Sequence, residues 1–249
     1  MIVFPMAGKS NRFKQAGFVT EKYMLYLGEL RIIQWVLKSF ERYSNSDVLF
    51  ILGEHNSNDA KYILRYAQAA FQGKVEVIVL ETPSLGQAHT VAMGVEESSL
   101  NMDQNLLIFN IDTIRPNFKS IYFDAKMNFI ETFRGEGEHW SFVSPSKTQQ
   151  SIAEAIIEKV RISDKCCTGA YGFASTNLFL ELQKLSLDFL RSQQYRIENY
   201  VSQVIQIGIE QGKTFYFEEV DPNRVFLSGT PNEFWNLSAD KLAEAFLKN

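Results

Sequence analysis

Cysteine is nearly absent: the chain of 249 residues has 2, and they are neighbours, Cys166 and Cys167. Adjacent cysteines make a poor framework disulfide and a poor zinc site. Reduced thiols in or beside a strand are expected, and with them the cytoplasm. Positive charge is not in excess either. The 25 Lys and Arg stand against 29 Asp and Glu, a net charge of −4, which argues against a nucleic-acid coat or a polybasic membrane surface. No stretch approaches the roughly 20 apolar residues of a membrane span. The N-terminus opens on an apolar strand, with no charged leader or small-residue cleavage site, and so does not read as a signal peptide. No Pro/Gly/Ser-rich linker, repeat or low-complexity tract divides the chain. The length suits one large α/β domain or two small ones.

Strand and helix signals alternate through the first 110 residues. Met1–Pro5 is a continuous apolar run of the kind buried in a parallel sheet. Ile32, Ile33, Val36, Leu37 and Phe40 recur at helical spacing. Strands are expected at Asp47–Leu52, Lys74–Leu80 and Asn105–Ile111, and helices at Asn58–Phe71 and Gln87–Glu97. Alternation of this kind implies a mostly parallel sheet with helices on both faces. After Asp112 the candidates are shorter: strands at Phe129–Phe133, Trp140–Val143, Ala153–Glu158, Ala170–Phe173 and Thr214–Phe217, with helices near Leu178–Gln194 and Ile197–Gly212. Pro231–Leu247 reads as one closing amphipathic helix. Tyr122, Phe123, Trp235 and Phe246 suit either the core or an interface between copies of the chain, which leaves a homo-oligomer open.

The chemistry concentrates in the first 40 residues. After the first strand comes Ala7-Gly8-Lys9-Ser10-Asn11-Arg12, a loop that can turn tightly and present N–H groups to an anion. Arg12 and Lys22 add fixed positive charge. Such a loop after strand 1 of an α/β sheet suggests a triphosphate site. Asp112 ends the strand near residue 110, where open α/β sheets bind ligands. A carboxylate there suits an oxygen-ligated Mg²⁺ that bridges phosphates.

These parts resemble the signature of the sugar-phosphate nucleotidylyltransferase superfamily. Its pattern is a Gly-rich loop with an arginine, a lysine about ten residues on, a turn and a helix. Here the residues are Gly8, Ser10, Arg12, Lys22 in Thr20-Glu21-Lys22-Tyr23-Met24-Leu25, and the Gly28-Glu29 turn. Glu21 stands where the family usually has proline. The resemblance implies a Rossmann-like, GT-A-like fold: α/β, single-domain, a mostly parallel mixed sheet flanked by helices. Residues 1–115 form a nucleotide-binding half, and 116–249 an acceptor half with the closing helix.

It also implies roles. Arg12 grips the leaving pyrophosphate, and Lys22 stabilises the α-phosphate. Lys9 has no fixed role. Ala7, Gly8 and Ser10 line the nucleotide site. Gly86 and Gln87, in Thr82-Pro83-Ser84-Leu85-Gly86-Gln87-Ala88-His89-Thr90, lie under the base, with His89 left to pack inside its helix. Relatives place a metal-binding aspartate where Asp112 stands. Glu158, Lys159 and Gly169 fall in phrases similar to the Glu-Lys-Pro and Thr-Gly-x-Tyr-x-Phe phrases that hold the acceptor, though Val160 replaces the proline and the spacing is short. Phe226-Leu227-Ser228-Gly229-Thr230-Pro231 resembles the Gly-Thr-Pro phrase that closes the catalytic domain. Many relatives carry a second metal-binding aspartate two residues before that glycine; this chain has Leu227 there. Asp221 is a candidate substitute.

The wording of Phe109–Thr113, His139–Phe142 and Ile162–Asp164 is nearest to bacterial capsule and surface-polysaccharide biosynthesis proteins. The expected activity is Mg²⁺-dependent transfer of a nucleotide, from CTP or UTP, to a sugar phosphate or similar small phosphate monoester. No nucleic-acid or membrane partner is implied. Two alternatives remain: a glycosyltransferase of related fold, disfavoured by the lack of an Asp-x-Asp motif, and a catalytically silent nucleotide-binding protein.

Overall fold

The computed structural model describes residues 1–192 and 198–248. Parts of two expected helices, residues 193–194 and 197, lie outside the described residues. Nine strands build one large sheet: β1 (Ile2–Pro5), β2 (Val48–Gly53), β3 (Val75–Leu80), β4 (Leu106–Phe109), β5 (Phe129–Arg134), β6 (Ser141–Pro145), β7 (Ala153–Glu158), β8 (Lys165–Phe173) and β9 (Tyr216–Val220). The helices used below are α1 (Asn11–Gln15), α2 (Ile32–Lys38), α3 (Ala60–Ala70), α4 (Gln87–Glu97), α5 (Thr176–Ser192), α6 (Val201–Glu210), α7 (Pro231–Trp235) and α8 (Ala239–Leu247).

The strands β3-β2-β1-β4 lie side by side and parallel, as their apolar runs and intervening helices predict. The long strand β8 then changes the direction of the sheet. It pairs antiparallel with β4 through Ala170–Phe173 and, on the same edge, with β6 at Cys166. Its other edge carries β5, which in turn carries β9 in parallel. The sheet is therefore mixed. Both faces are covered, and the period of two along each strand divides the core. Ile2, Phe4, Val48, Phe50 and Leu52 meet α2 and α3, while Val3, Leu49 and Ile51 meet α4, α5 and α6.

Several boundaries moved. The strand expected at Ala170–Phe173 begins five residues earlier at Lys165, taking in both cysteines, and its register shifts between Cys167 and Tyr171. Gly169 sits in that shift with φ +95°. Cys166 and Cys167 are buried in different clusters, as successive strand residues must be. The closing helix is broken in two at Asn236–Ser238, because Ser238 caps a new start, accepting from the Lys241 N–H at 3.4 Å. Phe123 is buried and Phe246 stacks on Trp35 at 5.8 Å, so both belong to the core, whereas Trp235 is 60% exposed. Among the described residues no helix is long and apolar enough to cross a membrane.

Candidate active site

The carboxyl ends of the four parallel strands open onto one cavity of about 1000 Å³. Its wall is made by the segments that leave those strands: Pro5–Asn11 after β1, Gly53–His55 after β2, Leu80–Gln87 after β3 and Asn110–Asp112 after β4. That is where an open α/β sheet leaves unsatisfied backbone and space together. A second cavity of about 270 Å³ adjoins it, walled by β7, β8 and the Gly229 turn. Lys22, Gln87, Asn110, Asp112 and Tyr200 line both. They form the seam between the two.

The phosphate-type loop is held from below. Asn56 donates to the Met6 carbonyl at 2.9 Å and to the Tyr23 hydroxyl at 2.8 Å, and Tyr23 donates to Asp59 at 2.8 Å. Buried Tyr23 thus fixes the one-turn helix in which Lys22 sits. Glu21, in the family's proline position, accepts from Ser10 Oγ at 2.6 Å and pairs with Lys14 at 3.3 Å. It braces the loop by charge where proline would do so by backbone restriction. Ser10 adopts a left-handed conformation, φ 49°, and a Cβ at Gly8 would meet no protein atom within 4 Å. The space beside Gly8 opens into the larger cavity.

Lys22 extends to the seam, where Nζ lies 2.5 Å from Asp112 Oδ2. Asp112 follows β4 in a turn fixed by the Gly229 phrase: the Ser228 N–H and Oγ both donate to the Asp112 carbonyl, at 2.8 and 3.0 Å. A Cβ at Gly229 would lie 2.9 Å from Asp112 Oδ2, so the bare glycine makes room for the carboxylate. Arg12 is exposed on α1, borders the smaller cavity and forms no ion pair with a described residue.

Gln87 donates to Asn110 Oδ1 at 2.5 Å, and the Asn110 N–H donates to the Gly169 carbonyl at 3.1 Å. Asn110 therefore joins the start of α4 to β8, and Gly169 has no room for a side chain beside it. At Gly86, φ is +123° and a Cβ would fall 2.5 Å from the Asn199 nitrogen. This glycine is required by the approach of a second backbone as well as by the turn itself. His89 accepts from the Leu85 N–H through Nδ1 at 2.9 Å, and burial lowers its pKa. It stabilises the turn.

At the smaller cavity, Glu158 accepts from Ser141 and, at 2.9 Å, from Ser202. It lines the smaller cavity with Gly169, Trp140 and Glu233. Lys159 does not line either cavity. It has φ 56°, donates to the Tyr200 hydroxyl at 2.6 Å and lies over that ring at 4.4 Å. Asp221 is not at the site at all: it caps a one-turn helix, accepting from the Asn223 N–H at 2.9 Å, and borders neither cavity. The Asn223 N–H and side-chain amide both donate to Asp221 Oδ1 at 2.9 Å, so this carboxylate is satisfied within its own turn. Leu227 pairs with Thr113 beside Asp112 and remains apolar.

Among the described residues, no group of three or more His, Cys, Asp or Glu side chains converges to hold a metal. One carboxylate, Asp112, faces the seam. Such a donor set fits a Mg²⁺ whose remaining ligands are phosphate oxygens and water.

The sequence did not single out Asn110, Tyr200, Ser202 or Glu233. Asn110 lay inside a quoted phrase without a role. Tyr200 and Ser202 have no local signal, because a long separation in sequence brings them to Lys159 and Glu158.

A parallel sheet with a cavity at its carboxyl ends, flanked by antiparallel strands, is an architecture this chain shares with solved nucleotidyltransferases. The nucleoside-diphosphate-sugar pyrophosphorylase of Vibrio cholerae is 29% identical, with 98% of this chain and 100% of that chain covered at a TM-score of 0.88. The inositol-1-phosphate CTP transferase of T. maritima superposes at 0.70 with 12% identity over 99% and 94% of the two chains. The CTP:phosphocholine cytidylyltransferase of Streptococcus pneumoniae superposes at 0.69 with 13% identity over 94% and 95%. No protein-family model matches the chain, and no curated protein matches it. The chain is a member of the nucleoside-triphosphate transferase superfamily.

Proposed function

We propose that this protein transfers a nucleotide from CTP or UTP to a sugar phosphate or similar small phosphate monoester, with Mg²⁺, to make a precursor of capsule or surface polysaccharide. The observation that carries the reading is the seam. Two cavities of unequal size meet at an ammonium, Lys22, and a carboxylate, Asp112. The larger has room for a nucleoside triphosphate and the smaller for a compact acceptor. The 29%-identical Vibrio protein, named for action on nucleoside-diphosphate sugars, supports a sugar phosphate. The pyrimidine base and the capsule role rest on the wording of the Phe109–Thr113, His139–Phe142 and Ile162–Asp164 phrases.

In this reading an acceptor phosphate oxygen bonds to the α-phosphorus while the bond from that phosphorus to the β-bridging oxygen breaks, and pyrophosphate departs with the electron pair. The barrier is largely one of bringing two polyanions together in line. Lys22, released from Asp112, balances charge on the α-phosphate. Arg12 presents a fork of donors to phosphate oxygens. Backbone N–H groups at Ala7–Ser10 take the rest of the triphosphate. Mg²⁺ would be held by Asp112 and would neutralise phosphate charge. Glu158 meets acceptor hydroxyls, and Lys159 serves the acceptor phosphate from the rim.

The test is pyrophosphate release from purified protein with Mg²⁺, a set of nucleoside triphosphates, and a panel of sugar 1-phosphates, polyol phosphates and phosphocholine-like compounds. Release is expected only when both substrates are present, and chelation should stop it. Release with ATP or GTP alone would refute the pyrimidine assignment and leave the reaction class standing. No release with any pair, together with sugar transfer from a nucleotide-sugar, would establish a glycosyltransferase instead.

A further inference from the structure

Three residues ahead of and inside the start of α6 hold both half-sites. The Asn199 backbone is bound to the nucleotide-side turn at two points: its N–H donates to the Leu85 carbonyl at 2.5 Å, and its carbonyl accepts from the Ala88 N–H at 2.9 Å. It also fills the space where a Gly86 side chain would be. The Asn199 amide is buried and fixed by Gln183 at 3.0 Å and Ser186 at 2.9 Å, so this backbone has little freedom to slide. One residue on, Tyr200 receives the Lys159 ammonium at 2.6 Å, and Ser202 donates to Glu158 at 2.9 Å.

Lys159 gains most from this arrangement. Its side chain is half exposed, and its backbone is left-handed, which an L-residue rarely adopts. The Lys159 N–H holds that turn by donating to the Trp140 carbonyl at 2.8 Å. A lysine stem is long and loses much rotamer freedom on binding. The Tyr200 ring and hydroxyl remove that freedom beforehand, at a point where Tyr200 itself borders both cavities.

We propose that Asn199, Tyr200 and Ser202 form a positioning strap between the half-sites. Tyr200 sets the Lys159 ammonium for the acceptor phosphate, and Asn199 ties that setting to the turn that holds the nucleotide. The strap is a deeper statement of the nucleotidyltransferase reading and rests on it. Its consequence is that acceptor affinity responds to changes made on the nucleotide side.

Tyr200→Phe removes the hydroxyl that meets the Lys159 ammonium, together with that hydroxyl's contact to Glu198, and keeps the ring. The acceptor KM should rise about tenfold, with kcat and the nucleotide KM within about twofold of wild type. In a Lys159→Ala background the same change should add nothing, because the contact is already gone. An unchanged acceptor KM, an equal rise in both KM values, or effects that multiply with Lys159→Ala would overturn the proposal. Gly86→Ala pushes directly on Asn199, so the acceptor KM should rise together with the nucleotide KM. A rise confined to the nucleotide overturns the coupling.

A measurement without turnover covers two failures: wild type that is inactive with every substrate pair, and Gly86→Ala that does not fold. It is acylation of Lys159 by N-hydroxysuccinimide acetate, followed by peptide mass spectrometry. Tyr200→Phe should speed it severalfold, and CTP or UTP should change the wild-type rate at least about twofold. Equal rates in wild type and Tyr200→Phe, or no response to either nucleotide, overturn the strap. Inactivity of wild type with every pair overturns only the nucleotidyltransferase reading.

Discussion

Replacing Glu218 with glutamine should stabilise the protein at alkaline pH and make little difference in acid. Glu218 lies on β9 directly across from Glu131 on β5. Glu131 is fully buried and takes both arms of its partner, Arg115, at 2.8 Å each. The guanidinium is committed to Glu131, and Glu218 is left over, with a buried Oε1 that has no hydrogen-bond partner among the described residues. Burial pushes its pKa up from an ordinary 4.5 to about 7, against a hydrogen bond from Ser120 that lowers it, with the Glu131 charge adding to the rise. The folded state therefore binds this proton more tightly than the unfolded state. Its contribution is complete below about pH 4.5 and is lost as pH rises through about 7. A shift of that size corresponds to about 2 kcal/mol once the partial exposure of the side chain is allowed for. Glutamine keeps the shape and never ionises. By thermal unfolding, Glu218→Gln should melt about 4–8 °C above wild type at pH 8.5 and within about 1 °C of it at pH 4.5. A difference that does not vary with pH, or a lower Tm for the variant at pH 8.5, would refute the reasoning.

Lys22→Ala should lower kcat at least about 100-fold while nucleotide binding, measured by calorimetry, falls much less, because the contact is made mainly in the transition state. Arg12→Ala should weaken triphosphate binding as well, and small, equal effects from both variants with the fold intact would return them to a solvated loop. Asp112→Asn should keep the wild-type Tm within a few degrees and abolish Mg²⁺-dependent pyrophosphate release, since the amide loses the charge that holds a hard cation; Asp221→Asn should retain activity. Gly229→Ala places a methyl group 2.9 Å from Asp112 Oδ2, so activity should drop about tenfold or more with a small change in Tm, and wild-type kinetics would show that the carboxylate has room to move. Cys166 and Cys167 are buried with thiol pKa values raised by burial, so a thiol reagent should find both only after unfolding; fast reaction of the folded protein would contradict the burial.

Much of residues 1–115 was legible because the signals there are local. An apolar run such as Ile2–Pro5 must be buried on both faces, and Gln87–Glu97 carries a helical period behind a glycine, so strand, loop and helix follow in order. Gly8, Ser10 and Lys22 line the larger cavity because the chain leaves the carboxyl end of β1, which lies between β2 and β4 in the sheet. Residues 116–249 were less legible. Their strands are short, and β8 bends through a register shift at Gly169 that no period announces. Asp221 is a carboxylate a few residues upstream of Leu227, yet its own Asp-Pro-Asn turn satisfies it.

The sequence by itself determined the class of fold and the identity of the charged residues at the seam, because propensity, burial period and turn chemistry act over a few neighbours. Only the tertiary structure decided that Lys22 meets Asp112, that Asn110 bridges Gln87 and Gly169, and that Lys159 rests on Tyr200 outside both cavities. Those contacts join residues tens of positions apart, and their geometry is set by how helices and strands pack across the whole sheet.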